Sequence, residues 1–205
     1  MNFLDPKTEK EKSSEIKSPP TRAEAEEAVR TLLRWVGEDP SREGLIDTPK
    51  RVVKAYTEWF AGYNEDPETI LSKTFNEVGG YSEAVTLKDI RFESYCEHHM
   101  APIIGLAHVS YLPETKVVGI SKIARLVNAF SKRLQVQEKM TAQIAVSLQN
   151  ILKPKGVAVL LEGEHHCMCT RGVNKHNVSM ITSFYTGEYK TNEKLKESFL
   201  SQLRK

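Results

Sequence analysis

Tyr95-Cys96-Glu97-His98-His99-Met100 lies between two stretches of strand character, and the phasing of those stretches decides the fold. On its N-terminal side, strand character runs through residues 83–92, with Val85 and Leu87 in one alternating phase and Ile90 and Phe92 in the other. One face of a strand collects every second residue, so the switch near Lys88-Asp89 predicts a bulge. On the C-terminal side, residues 103–111 read as a second strand, closed by Pro113. The cysteine-histidine cluster is therefore expected on the connection of a β-hairpin.

A second cluster, His165-His166-Cys167-Met168-Cys169, lies far downstream. Together the two windows hold all three cysteines of the chain and four of its six histidines. Cys96 and His99, with two residues between them, can point at one ion across a tight bend, and Cys167 would supply the distal ligand. Two thiolates and an imidazole suit a borderline-soft ion such as zinc better than magnesium or calcium. Three protein ligands leave a tetrahedral ion one position short, where the pKa of a water falls from about 15.7 to roughly 7. The closed alternative, a structural zinc with Cys169 or His165 as fourth ligand, remains open at this point. If the chain is extended there, alternation puts His165, Cys167 and Cys169 on one side. The blander reading is of packed core thiols and hydrogen-bonded histidines.

Working outward, residues up to about Pro20 are rich in Lys, Glu, Ser and Pro, with almost nothing to bury, and read as a disordered tail. From Thr21 a helix carries Ala28, Val29, Leu32, Leu33 and Val36 at helical spacing and ends at Gly37. Thr48-Pro49 is read as N-cap and first residue of the next helix, on which Arg51 and Lys54 share a side, by themselves no more than a solvated basic face. Beyond the hairpin, Ser121 is read as the N-cap of a helix with Ile123, Leu126, Val127 and Phe130, and a second helix runs from about Gln137. Val157 to Leu161 reads as a strand covered on both sides, residues 177–187 as the last strand, and a terminal helix starts near Asn192. Strands interrupted by helix pairs imply an α+β fold, a mainly antiparallel sheet with helices on one face. The expected division is a tail over 1–20, an N-terminal helical region over 21–80 and a catalytic domain over 81–205.

The 205 residues carry a net charge of only +2, too little to argue for nucleic acid or a membrane surface as partner. No apolar run approaches a membrane span, the opening residues lack a signal-peptide pattern, and an odd number of cysteines placed as ligands argues for a reducing cytoplasm. Gly79-Gly80 is followed by neither the Lys nor the hydroxyl of a phosphate-binding loop. Phosphates would then be held by side-chain cations, with Lys122 and Arg125 expected on the first turn of the helix at Ser121, and Arg171 beyond the second cluster.

With these pieces in place, the sequence resembles GTP cyclohydrolase I, the first enzyme of pterin and folate biosynthesis. The match is carried by Gly37-Glu38-Asp39-Pro40 with Arg42-Glu43-Gly44-Leu45, Asp47-Thr48-Pro49, Cys96-Glu97-His98-His99, Gly119-Ile120-Ser121-Lys122, Gln135-Val136-Gln137-Glu138, and His165-His166-Cys167 with Arg171-Gly172. These occur in the family's order and cover the chain from about Thr21 onward. The resemblance implies a tunnelling fold, with four-stranded antiparallel sheets of five subunits forming a barrel and two rings stacking as a homodecamer. It implies conversion of GTP and water to formate and 7,8-dihydroneopterin triphosphate, with Zn2+ on Cys96, His99 and Cys167 activating water for attack at C8 of the purine. By the same resemblance His165 moves the proton near N7, and His98, with Ser121, assists around the ribose. Glu138, with Gln137 beside it, would read guanine, and a buried carboxylate left unpaired would reject adenine. Lys122, Arg125 and Arg171 would hold the triphosphate, joined by Arg51 and Lys54 from a neighbouring subunit. The departures are Lys139, where an arginine is common, and Cys169, an additional thiol.

Two rivals stand beside this reading. One is a nitrile reductase on the same fold, acting through a nucleophilic cysteine and a nicotinamide cofactor; the other is a non-enzymatic protein with a closed zinc site.

Overall fold

The phase switch at Lys88-Asp89 is a bulge. In the computed structural model, which describes residues 19–75 and 81–203, strand β2 (Val85–Cys96) pairs antiparallel with β3 (Pro102–Leu112), and the register slips between Leu87 and Ile90. Asp89 takes a left-handed backbone (φ 58°), and its N–H donates to Nδ1 of the buried His108 at 3.1 Å. The extra residue returns Val85 and Leu87 to the face that carries Phe92, so all of them pack against one core.

β6 (Gly156–His165) adds antiparallel to β3, and β7 (Ser179–Tyr185) to β6. A two-residue strand, β5 (Leu134–Gln135), pairs parallel with the end of β2, giving the order β5-β2-β3-β6-β7. The α+β class with an antiparallel sheet is as expected; the parallel edge strand enlarges the expected four strands to five. A separate pair, β1 (Thr74–Phe75) with β4 (Val117–Val118), lies beside the main sheet in the chain's order.

One sheet face is covered by α4 (Ile120–Ser131) and α5 (Gln137–Leu152). Phe92, Ile103, Ala107 and Val109 from the sheet meet Ile123, Leu126, Phe130, Met140, Ile144 and Leu148 from the helices, all fully buried. Each of these side chains other than Ala107 contributes about 1.5–3 kcal/mol by leaving water. Gly105 lies at the centre of this contact, where a Cβ would meet the carbonyl of Glu162 and approach the Phe92 ring at 2.8 Å. The opposite face is covered at one end, where Leu112, Ala158, Tyr189 and Phe199 form a smaller core with α7 (Glu188–Thr191) and α8 (Glu193–Leu203).

The two expected caps are displaced toward the N-terminus, one by two residues and the other by one. α4 begins at Ile120 with Gly119 as its N-cap, so Ser121 lies inside the first turn and makes no side-chain cap. Arg125 accordingly falls in the second turn. Likewise α2 (Thr48–Trp59) is capped by Asp47, with Thr48 already helical.

Residues 62–75 and 81–203 belong to one compact unit, residues 19–61 to another. The second holds α1 (Arg22–Trp35) and α2. Thr21 and Glu24 cap α1 reciprocally, Oγ1 accepting from the Glu24 N–H and the carboxylate accepting from the Thr21 N–H. Gly37, at φ 92°, ends it as expected. The expected tail, as far as residue 18, and Gly79-Gly80 lie outside the described residues.

Candidate metal centre and active site

Strand register brings the two clusters together. Ser94 on β2 faces Ile103 on β3, and Ile103 faces His165 on β6, so the ends of three adjacent strands form one row. Cys96 lies two residues past Ser94, and Cys167 two past His165. The hairpin connection is a single helical turn: the N–H groups of His99 and Met100 both donate to the Cys96 carbonyl, and Met100 exits at φ 54°. That turn places His99 back over Cys96. One donor atom each from Cys96, His99 and Cys167 lie within 4.8 Å of one another.

Both thiols are buried while His99 is exposed. Burial, then the Cys96 thiol beside it, pushes the Cys167 thiol up; Arg171 draws it down. The Cys167 thiol, raised in this way, gives up its proton more readily where a cation joins it. A tetrahedral zinc, with bonds of about 2.0–2.3 Å, needs donors roughly 3.3–3.8 Å apart, so the group has only about an ångström to close. The donor set fits a borderline-soft metal and the spacing is compatible with one.

The downstream window does not stay extended. After His165 the chain turns into α6 (His166–Cys169), one helical turn, so the alternation that would align Cys167 with Cys169 stops. Cys169 Sγ instead donates to Glu164 Oε1 and the His165 carbonyl, both at 3.2 Å, and it is not in the metal-ligand group.

The remaining expected site residues fall as follows. His98 is exposed, its Nδ1 3.8 Å from Cys96 Sγ. Arg171 donates from Nη1 to His99 Nε2 at 3.2 Å, which puts a cation at the rim of the cluster. His165 is half-buried, and burial lowers its pKa against the opposing pull of Glu138, an exposed carboxylate at the start of α5. Lys122 is half-buried and Ser121 and Arg125 are exposed, all on the first two turns of α4. Arg51 and Lys54 are exposed on α2, Arg51 facing Asp47 at 3.6 Å.

Gln137, expected beside Glu138 at the base, is instead fully buried, and its amide is engaged within the protein. The element that delivers Glu138 to the cluster is β5, whose Leu134 and Gln135 pair with Tyr95 and Cys96. A two-residue strand carries no periodicity, so nothing in the sequence marks it.

Residues 25–204 match the family model for GTP cyclohydrolase I. The chain belongs to the GTP cyclohydrolase I family. Relatives named GTP cyclohydrolase 1 include one from Maricaulis maris (strain MCS10), 58% identical over 190 residues and covering 93% of each chain. Another, from Brucella anthropi, is 59% identical over 186 residues, covering 91% of this chain and 87% of the relative. Among solved structures, the archaeosine synthase QueF-Like in the apo form gives a TM-score of 0.44 at 19% identity, covering 52% of this chain and 96% of that one. The Cys-His-Cys group, with Arg171 at its rim, therefore lies in a chain of the GTP cyclohydrolase I family, within the residues that the family match spans. Among the described residues, no helix is long and apolar enough to cross a membrane.

Proposed function

We infer that this chain is a GTP cyclohydrolase, converting GTP and water to formate and 7,8-dihydroneopterin triphosphate with zinc held by Cys96, His99 and Cys167. The observation that carries this reading is the convergence of those three donors within 4.8 Å, from two windows far apart in a chain of this family. Zinc bound there would supply a Lewis acid that makes water a competent nucleophile at neutral pH.

The chain's own residues do the rest. His165, half-buried near Glu138, takes and returns a proton at N7 of the purine, a task suited to an imidazole. His98, next to a ligand but turned to solvent, serves proton transfers around the ribose with Ser121. The Glu138 carboxylate accepts two N–H bonds from the guanine edge; adenine offers no such pair, so ATP is rejected. Lys122, Arg125 and Arg171 hold the triphosphate, helped by the partial positive charge at the start of α4. Arg51 and Lys54 are assigned to the same phosphates across a subunit boundary.

The tunnelling fold and a homodecamer of two pentamers belong to this reading. Supporting them, β7 ends the sheet with an edge that is unpaired among the described residues, and Ile181 beside Glu162 stands 62% exposed on the face away from α4 and α5. A cytoplasmic setting fits three free cysteines.

Formate release tests the reaction. One formate per GTP consumed is expected from zinc-loaded protein, and GTP consumption without formate contradicts it.

A further inference from the structure

The side chain of Gln137 has no exposed surface, although it stands one residue before the carboxylate assigned to guanine. Its Nε2 lies 2.8 Å from the Met180 carbonyl, 3.3 Å from the Leu161 carbonyl and 3.1 Å from Thr182 Oγ1. Carbonyl oxygens only accept, so the group facing them is the NH2, and the amide cannot be turned over. Its Oε1 is therefore fixed toward His165 Nε2, at 2.9 Å. An amide oxygen also only accepts, so His165 Nε2 must carry a hydrogen.

Two neighbouring observations lock the arrangement. Thr141 Oγ1 donates to the Gln137 carbonyl at 2.7 Å, so in its 2.7 Å pair with Thr182 the Thr182 hydroxyl is the donor, leaving that oxygen free to accept from Gln137. Gly163 supplies the space: a Cβ there would come 2.7 Å from Gln137 Oε1 and 3.1 Å from Ile103 Cγ2.

We propose that Gln137 is a positioning residue that fixes the orientation and tautomer of the His165 ring, its Nε2–H bonded to the amide oxygen, so that Nδ1 is the ring nitrogen left for the substrate. The proposal rests on the reading of His165 as the proton-transfer group. It changes what Gln137 does for the reaction: the residue acts on the histidine and touches no substrate. The ring is held the way an outer hydrogen-bond partner fixes tautomer and orientation at many metal and catalytic histidines.

The test uses zinc-loaded full-length protein, labelled with 15N at histidine, with His165 assigned by its loss in His165→Asn. The wild-type ring is expected as Nε2–H with an unprotonated Nδ1. Gln137→Leu is expected to lose that preference and to lower kcat by about 10- to 100-fold, with KM for GTP and zinc content little changed. Gly163→Ala, which displaces Oε1 from the other side, is expected to shift the same signals. A wild-type ring protonated at Nδ1 overturns the proposal, as does an unchanged ring and kcat in Gln137→Leu, or a raised KM at normal kcat. If Gln137→Leu fails to fold, the wild-type spectrum alone decides. Wild-type protein that forms no pterin from GTP would refute the function while leaving the tautomer assignment to the spectrum.

Discussion

Replacing Cys167 and Cys169 by serine, one at a time, separates an open three-ligand centre from a closed one. Both thiols are buried and lie two residues apart, so a bland packing model predicts similar losses for the two. The structure separates them. Cys167 Sγ belongs to the group whose donors lie within 4.8 Å, whereas Cys169 Sγ donates to Glu164 and to the His165 carbonyl, bonds that a hydroxyl also makes. Loss of an outer partner at a metal site typically costs about 10- to 100-fold in affinity, so loss of a directly bound thiolate should exceed about 100-fold. Zinc content after dialysis against a graded chelator series is the assay, with GTP turnover read on the same samples. Cys167→Ser is expected to lose its zinc at the weakest chelation that spares wild type, and to lose turnover with it. Cys169→Ser is expected to keep both. Equal zinc loss in the two variants refutes the reasoning, because it would make Cys169 a ligand.

Other outcomes follow from the same geometry. Glu138→Gln removes a charged acceptor from the base edge and should raise KM for GTP by roughly 10- to 150-fold, the equivalent of about 1.5–3 kcal/mol for hydrogen bonds to a charged group; an unchanged KM would remove Glu138 from guanine recognition. Arg171→Ala should weaken GTP binding and flatten its dependence on ionic strength, measured by KM across a salt series, since it removes one cation from the triphosphate site. Gly105→Ala should lower stability by about 3 kcal/mol, read from urea midpoints, because its Cβ has no room between the Glu162 carbonyl and the Phe92 ring; a variant as stable as wild type would mean that β3 and β6 can part there.

Much of this was legible in the sequence for physical reasons. The bulge showed as a phase switch because alternation is strict on a strand with one buried face, and Val85 and Leu87 reach the same core as Ile90 and Phe92. The hairpin, the two long helices and the start of α1 near Thr21 followed from periodicity, whereas the caps expected at Thr48 and Ser121 lie at Asp47 and Gly119. Besides β5, two features were not legible. The helical turn His166–Cys169 is too short to announce itself, so alternation aligned Cys169 with Cys167, whereas the turn carries the Cys169 thiol to Glu164. Gln137 looked like a base contact from its place next to Glu138; its acceptors, Leu161, Met180 and Thr182, come from two strands far along the chain. Local signals describe elements, whereas the direction of a buried amide depends on what the fold brings opposite it.

The most direct measurement takes the account back to Cys96, His99 and Cys167 as a working metal centre. Protein is incubated with GTP, the product is oxidised and dephosphorylated, and neopterin fluorescence is read with and without a metal chelator. The account predicts neopterin from the zinc-loaded protein, its loss on chelation and its return when zinc is restored. Absence of neopterin from fully metal-loaded protein would contradict it.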